Sequence, residues 1–445
     1  MPAFAKQEDC VSNVVIIGAG HAGVAAAAAL RQYGYGGAVT LIGNEAELPY
    51  QRPPLSKGWL LGSVGLDEVL LRGADFYAEQ QITLRLGCTV SSIDRRKKYV
   101  HLSSGERVDY EALILASGSR AIQPAIAGIA HEGVVSLRSV RDAQKLRALL
   151  TARAGGGPGT AASPASAASP AAPTSAGLPA AGVTLAIVGA GYVGLEVAAS
   201  ARQLGAEVIV IEREPRVLAR VAAPAMSAFL MAEHERHGVR FALGRAVAAI
   251  EADGGLVNAV VLDNGRRLAA DAVLIGVGGT PNDALAQAAG LRCDGGVLVD
   301  LQARTDDPAI YAIGDVTRRP MPLYGCQMRL ESVPNATEQA RQAACAIVGR
   351  AAPAPEVPWQ WSDQYDLRIQ IAGHALDADQ QVVRGDVAAG KFAIFHFKGE
   401  QLRAVEAVNA TPEFMAGRQW LGKPLRIDRA RLAETAIPLR QLAAA

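Results

Sequence analysis

The feature that most constrains the fold is an apolar run that breaks into three glycines near the start of the chain. Residues 14–17 are all β-branched, which is typical of a strand buried on both faces of a parallel sheet. Gly18, Gly20 and Gly23 follow in the spacing Gly-x-Gly-x-x-Gly, and the composition of residues 24–30 favours a helix. Such glycines allow a tight turn and a close approach of the backbone to a pyrophosphate at the helix N-terminus. The pattern predicts a dinucleotide-binding β-α-β unit.

A second apolar strand, residues 39–42, follows the predicted helix and ends close to an acidic residue. Glu45 lies near the offset of roughly 20 residues at which such units place the acid that binds a ribose, and Asn44 is the neighbouring candidate. His21 and Ala22 lie between the last two glycines and belong to the predicted site. We interpret His21 as a spacer rather than a catalyst.

The same design appears a second time in the middle of the chain. Residues 185–188 form an apolar run, a helix is predicted from residue 195, and a strand over residues 208–211 ends on Glu212. The second turn comprises Gly189, Gly191, Tyr192, Val193 and Gly194. Two copies in one chain imply two bound dinucleotides.

Glu212 also bears on which nicotinamide cofactor is used. A carboxylate at this position accepts hydrogen bonds from a free ribose 2′-hydroxyl and repels a 2′-phosphate, which favours NADH over NADPH. Arg213 and Arg216 are nearby cations that would soften the preference.

Composition sets broad limits on the protein. A chain of 445 residues, half of them apolar, is too long for one core and fits two or three domains. The net charge of +1 gives no electrostatic case for nucleic acid or a membrane surface, and no apolar run approaches the roughly 18 residues of a membrane span. The five cysteines, at positions 10, 88, 293, 326 and 345, form no C-x-x-C pair, and Glu8 and Asp9 precede the first strand without an apolar signal region. These features favour a reducing cytoplasm.

A proline-rich segment, residues 48–57, follows the first unit. Its three prolines predict a stiff surface segment that carries Tyr50, Arg52 and Lys57. The first glycine motif followed by this Arg-Pro-Pro-Leu-Ser-Lys segment resembles the FAD-dependent ferredoxin reductases of bacterial oxygenase systems. These enzymes belong to the pyridine nucleotide-disulphide oxidoreductases but lack a redox disulfide. The resemblance continues to residues 359–365, which are close to the Trp-x-Trp-Ser-Asp-Gln-Tyr segment of that family.

The resemblance implies an NADH-dependent flavoprotein reductase. Hydride would pass from NADH C4 to flavin N5, and single electrons would then pass to a [2Fe–2S] ferredoxin that supplies an oxygenase. It also implies that Lys57 and Glu196 form a pair beside flavin N5, where they act as the catalytic residues. The alternative for Glu196 is a structural role, because an acid in the first turn of a helix complements the helix dipole. The sequence leaves open whether the protein is a monomer or a homodimer.

The resemblance further assigns residues to each cofactor. Asp315 would bind the ribitol of FAD, and the start of a helix at Ser332 and Val333 would face the flavin carbonyls. Some relatives place a tryptophan near this helix, where the chain has Gln327, Met328 and Val333. The implied FAD contacts are Gly18, Gly20, His21, Ala22, Gly23, Asn44, Glu45, Arg52, Lys57, Ala116, Ser117, Gly118, Gly314, Asp315, Ser332 and Val333. The implied NAD contacts are Gly189, Gly191, Tyr192, Val193, Gly194, Glu196, Glu212, Arg213, Gly278 and Gly279. No metal site is expected.

The fold expected from these motifs is α/β, with two Rossmann-like dinucleotide-binding domains of the glutathione-reductase type and an α+β C-terminal domain. The FAD domain would comprise residues 8–122 and 262–335, the NAD domain residues 123–261, and the third domain residues 336–445. Alternating polarity at 392–397 and 404–408 predicts an antiparallel sheet covered on one face.

Residues 151–182 consist almost entirely of Ala, Pro, Ser, Gly and Thr. They predict a disordered insertion, because they carry too little apolar bulk to offset the entropy of ordering. A partner-binding tether is the alternative.

Other function classes share parts of this pattern. Thioredoxin and glutathione reductases need a redox-active cysteine pair, and coenzyme A disulfide reductases and NADH peroxidases need a cysteine shortly after the first ribose strand. The sequence has no such cysteine pair near the FAD motif, which counts against the first two classes. Positions 43–57 contain no cysteine, which counts against the coenzyme A disulfide reductases and NADH peroxidases. Rubredoxin reductase, NADH oxidase and a signalling flavoprotein resembling apoptosis-inducing factor remain as alternatives.

Overall fold

A computed structural model describes residues 13–151, 182–375 and 377–444, which fall into two compact units. The first unit comprises Met1–Arg52, Val64–Arg120 and Gly279–Ala445, and the second comprises Pro53–Ser63 and Ala121–Gly278, as far as these ranges are described. The predicted insertion lies outside the described residues, except for its first and last positions. The three domain boundaries drawn from the sequence stay a prediction.

The first unit contains a parallel sheet whose central strand carries the β-branched residues of the first glycine motif. The first glycine helix (His21–Gln32) and the late helix (Val333–Ile347) pack against each other and against one face of the sheet through small alanine side chains. The strand order is Ile310–Ala312, Ala112–Leu115, Asn13–Ile17, Ala38–Ile42 and Ile82–Arg85.

The second unit repeats this arrangement. The second glycine helix (Tyr192–Gln203) follows the central strand of a parallel sheet. A separate antiparallel sheet contributes apolar residues to the core that covers this parallel sheet, and its strands are Val247–Asp253, Leu256–Leu262 and Arg267–Ala269. The parallel strand order is Val239–Leu243, Glu207–Glu212, Thr184–Val188, Ala272–Ile275 and Val134–Ser136. The α/β fold with two Rossmann-like sheets is therefore as the sequence predicts.

The C-terminal part of the first unit contains the predicted antiparallel sheet, with a helix at Thr411–Trp420 packed on it. The prediction that only one face is covered is wrong for the central strand Gln401–Val408 and its neighbour Lys391–Lys398, in which the residues between the strand ends are buried on both faces. The two polar residues of these stretches, His396 and Glu406, form one buried pair in which His396 Nε2 lies 3.1 Å from the Glu406 carboxylate. The strand order is Trp359–Gln364, Leu367–Gly373, Gln401–Val408, Lys391–Lys398 and Gln380–Asp386.

The proline-rich segment is divided between the units, with residues 48–52 in the first and residues 53–57 in the second. None of its residues is exposed, so it is not the surface segment that its prolines predict. Leu55 and Ser56 are buried, and the 3₁₀ helix Pro53–Ser56 packs against the second glycine helix. Its proline rings preset the turn, and the apolar side chains that follow fix it on the unit.

The remaining elements connect these sheets or extend them, and within the described residues no helix is long and apolar enough to cross a membrane. The remaining strands are Val90–Asp94, Tyr99–Leu102, Arg107–Asp109, Ser119–Ala121, Gly279–Pro281, Val297–Leu298, Thr317–Met321, Cys326–Met328, Arg426–Ile427 and Ala443–Ala444. The remaining helices are Gly58–Leu61, Asp67–Val69, Ala74–Glu79, Val140–Thr151, Pro224–Arg236, Ala284–Ala288, Gly314–Val316, Pro322–Tyr324, Arg429–Leu432 and Leu439–Gln441.

Candidate functional site

The first glycine turn has the geometry of a phosphate cradle. Gly18 has φ +114°, and a Cβ there would lie 2.1 Å from Ala116 O; a Cβ on Gly23 would lie 1.9 Å from Gly18 O. A Cβ on Gly20, in contrast, would meet no heavy atom of the described chain within 4 Å. Two glycines therefore serve close packing, while the third leaves open space at the start of the first glycine helix, where free N–H groups favour an anion. This opening fits the pyrophosphate of a dinucleotide, and His21 and Ala22 begin the helix beside it.

Glu45, the predicted ribose acid, is held by a cation. Its carboxylate lies 2.6 Å from an Arg52 nitrogen and accepts the hydroxyl of Tyr50, and the Arg52 guanidinium lies over the Tyr50 ring. Burial of Arg52 opposes its charge, but Glu45 and Tyr50 outweigh that effect and raise the pKa of the guanidinium. Asn44 is exposed. The arrangement orients Glu45, and contact with a ribose stays a prediction.

The crossover at Ala116, Ser117 and Gly118 is tied to the segment that returns from the second unit. Ser117 Oγ donates to Asn282 O at 2.9 Å, Asn282 Nδ2 donates to Ser117 O at 2.8 Å, and Asn282 N donates to Gly118 O at 2.9 Å. The sequence motifs assign no function to Asn282. Its side chain and its backbone N–H therefore link the returning segment to the crossover.

Gly314 and Asp315 form the turn at the end of the adjacent strand. Gly314 has φ +77°, its N–H donates to Gln339 Oε1 at 2.8 Å, and Asp315 accepts from Ser119 Oγ at 3.1 Å. A carboxylate at this strand end suits a polyol, since it accepts hydrogen bonds without supplying a competing donor.

The late helix begins where the sequence predicts a contact with flavin carbonyls. Ser332 is its N-cap, and its hydroxyl accepts from Asn335 N at 3.3 Å. Val333 is the first helical residue and is partly buried.

The second glycine turn reproduces the first. A Cβ on Gly189, which has φ +107°, would lie 2.4 Å from Gly276 O, and a Cβ on Gly194 would lie 2.3 Å from Gly189 O. Gly191 again faces space that no described heavy atom fills within 4 Å. Tyr192 and Val193 open the helix, and Val193 is exposed.

Glu212 closes this second turn. Its carboxylate accepts from Ala190 N at 2.8 Å and from Glu214 N at 3.0 Å, which fixes it beside the glycines. Arg213 is exposed and lies 3.4 Å from the Glu214 carboxylate.

Arg216, which the sequence suggested as a softening cation, is occupied elsewhere. Both of its terminal nitrogens donate to nearby residues of the chain, to Ala219 O and Ala222 O in its own loop and to Ser227 Oγ on the helix that follows. Its guanidinium therefore stabilises the loop after Glu212.

Lys57 and Glu196 come together within the second unit. Lys57 Nζ lies 2.8 Å from Glu196 Oε1, and the two side chains are 19% and 7% exposed. Ser56 Oγ donates to the other carboxylate oxygen at 2.5 Å, and Ser200 Oγ donates to Ser56 O at 2.7 Å. The pair named from the family resemblance thus exists as a largely buried ion pair, and its role toward a flavin stays a prediction.

The two glycines assigned to NAD at the end of the Ala272–Ile275 strand differ in surroundings. Gly278 has φ +112° and belongs to the second unit, whereas Gly279 belongs to the first. A Cβ on Gly279 would lie 2.7 Å from Glu331 Oε1, and Arg329 donates to Gly279 O at 3.1 Å. Contact of either glycine with NAD stays a prediction.

Sequence reasoning missed one group altogether. Arg319 is buried and pairs with Glu338 at 3.0 Å on the late helix. No motif marks either residue, and a charged residue is ordinarily expected at the surface.

Comparison with known proteins identifies the family. The model described as pyridine nucleotide-disulphide oxidoreductase matches residues 12–340, and the model described as reductase C-terminal matches residues 359–443. Among curated proteins, a probable ferredoxin reductase of Castellaniella defragrans is 44% identical over 432 residues, which cover 97% of this chain and 98% of that protein. Putidaredoxin reductase of Pseudomonas putida is 36% identical over 438 residues, 97% of each chain. Rubredoxin-NAD(+) reductase of Pseudomonas putida is 37% identical over 396 residues, 89% of this chain and 95% of that protein.

Solved structures agree with this assignment. The crystal structure of the covalent putidaredoxin reductase-putidaredoxin complex aligns with a TM-score of 0.88 at 35% identity, covering 97% of each chain. The resemblance to ferredoxin reductases drawn from the motifs is therefore confirmed, and the chain belongs to the pyridine nucleotide-disulphide oxidoreductase family.

Proposed function

We propose that the protein is a flavoprotein reductase that carries electrons from NADH through FAD to a [2Fe–2S] ferredoxin, which in turn supplies an oxygenase. The observation that carries the proposal is the pair of glycine cradles, one in each unit, each with open space over its middle glycine. Two cradles suit two dinucleotides. Bound FAD supplies the ability to take up two electrons together and to release them singly.

The first unit holds the residues that would bind FAD. The N–H groups at the start of the first glycine helix would bind the pyrophosphate, and Asp315 would accept from the ribitol hydroxyls. Glu45, oriented by Arg52, would bind the ribose. The start of the late helix, capped by Ser332, would present N–H groups to the flavin carbonyls.

The second unit holds the residues that would bind NADH. Gly191 and the start of the second glycine helix would bind its pyrophosphate, and Glu212 would accept from the ribose hydroxyls. Because Arg216 is committed to its own loop, it offers little to a 2′-phosphate, which supports a preference for NADH. Lys57 and Glu196 would orient the nicotinamide for hydride transfer, as the family resemblance implies.

The composition of the chain separates this proposal from the disulfide-using enzymes of the same family. Residues 43–57 contain no cysteine, so this segment cannot supply a thiol to accept electrons. A flavoprotein without such a thiol can instead pass its electrons one at a time to a protein acceptor. We place the protein in the cytoplasm because its five cysteines form no C-x-x-C pair, which is typical of a reducing compartment.

The test is cytochrome c reduction by the purified, FAD-loaded protein with NADH, with and without an added [2Fe–2S] ferredoxin. A strong rise with ferredoxin is the expected result. A parallel reaction with rubredoxin as the carrier tests the nearest alternative, which the similarity to rubredoxin-NAD(+) reductase raises. Rapid formation of hydrogen peroxide without any carrier effect would indicate an oxidase, and flavin reduction over minutes would indicate a signalling flavoprotein. Either result would overturn the proposal.

A further inference from the structure

The late helix is anchored near its N-terminus by a buried arginine. Arg319 lies on the strand Thr317–Met321 and is 2% exposed. One terminal nitrogen donates to Asn335 Oδ1 at 3.1 Å, and the other donates to Glu338 Oε1 at 3.0 Å. Asn335 and Glu338 are three residues apart and so lie on one side of the helix. A single planar guanidinium therefore holds the first turns of this helix at two points.

The two partners of Arg319 are themselves fixed. Glu338 Oε1 also accepts from Gln342 Nε2 at 2.8 Å and from Glu356 N at 3.0 Å. Asn335 Nδ2 donates to Leu330 O at 3.0 Å, just before the helix begins. The network thus spans the approach to the helix and its first three turns.

The same network reaches the turn at the end of the Ile310–Ala312 strand. Gln339 Oε1 accepts from Gly314 N at 2.8 Å and from Asn335 Nδ2 at 3.3 Å. The single hydroxyl hydrogen of Thr317 is shared between Gln339 Oε1 at 2.9 Å and Gly314 O at 2.8 Å. The two N–H donors fix the orientation of this amide. Asn335 consequently connects the arginine to the Gly314 turn.

We propose that Arg319 is a positioning residue for FAD, which holds the helix start at Ser332 and Val333 in fixed relation to the turn at Gly314 and Asp315. The inference rests on the proposed function, because that function assigns both segments to FAD. Arg319 itself does not touch the cofactor; it acts through Asn335 and Glu338.

Stability alone does not account for such a group. Replacing a buried ion pair with well-packed apolar residues of similar volume often leaves a fold equally stable, because the desolvation of both charges offsets their attraction. The guanidinium instead fixes the orientation of the late helix, since its two hydrogen bonds to two side chains of that helix allow a single placement of the helix. The orientation of the helix matters because its first backbone N–H groups must point at the carbonyl oxygen atoms of the flavin ring.

The test compares FAD binding by three variants of the full-length apoprotein. Arg319→Met keeps most of the side-chain volume and removes the fork, and Asn335→Ala removes one end of the fork with less disturbance of the fold. We expect the Kd for FAD, measured by quenching of flavin fluorescence, to rise about tenfold or more in both, the effect of losing one hydrogen bond to a charged group. The visible circular dichroism of bound flavin should change as well, because it reports the asymmetry around the ring.

The matched control is Arg384→Met. Arg384 is also buried in the first unit, but its nitrogens donate to Leu432 O and Glu434 O in the C-terminal part. This variant should lose stability and keep both the FAD Kd and the visible dichroism of the wild type.

The outcomes separate this inference from the proposed function. If Arg319→Met and Asn335→Ala bind FAD with the wild-type Kd and dichroism, and only their unfolding midpoints fall, the positioning role is refuted. A wild-type protein that binds FAD but does not reduce a ferredoxin would overturn the proposed function and leave this inference in place. A wild-type protein that does not bind FAD would overturn both.

Discussion

Replacing Lys57 with Met removes the positive member of a largely buried ion pair in the second unit. Glu196 Oε1 lies 2.8 Å from Lys57 Nζ, and the Glu196 side chain is only 7% exposed. In the variant, the carboxylate would keep the hydrogen bond from Ser56 Oγ but would lose its counter-charge. We therefore expect a marked loss of stability.

The size of this loss follows from the burial of each partner. Removing one member of a fully buried pair costs about 3 to 5 kcal/mol. Because Lys57 is 19% exposed and Ser56 remains as a donor, we expect the lower end of that range, about 3 kcal/mol. Adding Glu196→Gln removes the negative charge that Lys57 neutralised and keeps an oxygen that accepts from Ser56. The double variant should therefore recover most of the loss, which gives a coupling of about 2 kcal/mol between the two sites.

The assay is a double-mutant cycle of urea unfolding, followed by tryptophan fluorescence and far-ultraviolet circular dichroism so that separate transitions of the two units are seen. Lys57→Met, Glu196→Gln and the double variant are compared with the wild type. A coupling below about 0.5 kcal/mol would refute the buried-pair reasoning, since independent sites add within that margin.

The same variants test the kinetic role of the pair. If Lys57 and Glu196 orient the nicotinamide, rapid mixing with NADH should show flavin reduction slowed on the order of 100-fold, the effect expected of misplaced reacting groups. The Kd for NADH should change much less. A variant that binds NADH weakly but reduces its flavin at the wild-type rate would reject this role.

Three further predictions follow from single sites. Glu212→Ala should narrow the NADH:NADPH ratio of kcat/KM by about tenfold, because it removes a charged acceptor; an unchanged ratio would reject Glu212 as the discriminator. Gly18→Ala should prevent FAD binding or folding, because its Cβ would lie 2.1 Å from Ala116 O. The control Gly34→Ala, at φ +86° with no described atom within 4 Å of the added Cβ, should cost only about 1 kcal/mol of backbone strain. Equal losses of unfolding free energy in denaturant for the two variants would contradict the close-packing argument. Burial lowers the pKa of His374, so the unfolded chain takes up the proton first and stability should fall as the pH drops below about 6.5. In His374→Gln, the urea midpoint of unfolding should depend less on pH in this range. A pH profile identical to that of the wild type would show that another group is responsible.

The two nucleotide-binding units could be predicted from the sequence because local and tertiary requirements coincide there. The β-branched run before Gly18 must be a strand, the glycines must turn, and the alanines that follow must pack against a flat sheet. The predicted strand at residues 14–17 lies within Asn13–Ile17, and the predicted helix at 24–30 lies within His21–Gln32. The helix begins earlier than predicted because the residues between the glycines already have helical backbone.

The proline-rich segment shows where local reasoning fails. Its prolines and charges indicate a solvated loop, yet Ser56 is buried and donates to Glu196, a residue 140 positions away. Lys57 is drawn inward by the same carboxylate. A partner so distant in sequence leaves no periodic signal, so only the family resemblance linked Lys57 to Glu196.

Buried polar networks escape prediction for a related reason. Polarity patterns identify the residues that water would solvate, but they do not show when another side chain takes the place of water. His396 and Glu406 pair with each other on adjacent strands. An alternating pattern that predicts one exposed sheet face therefore belongs to two strands that are buried on both faces. Arg319 is a second example, because its terminal nitrogens donate to Asn335 and Glu338 instead of to water. Such residues are recognised only when the fold brings their partners together. For this reason the proposed positioning of the late helix by Arg319 comes from the structure rather than from any motif.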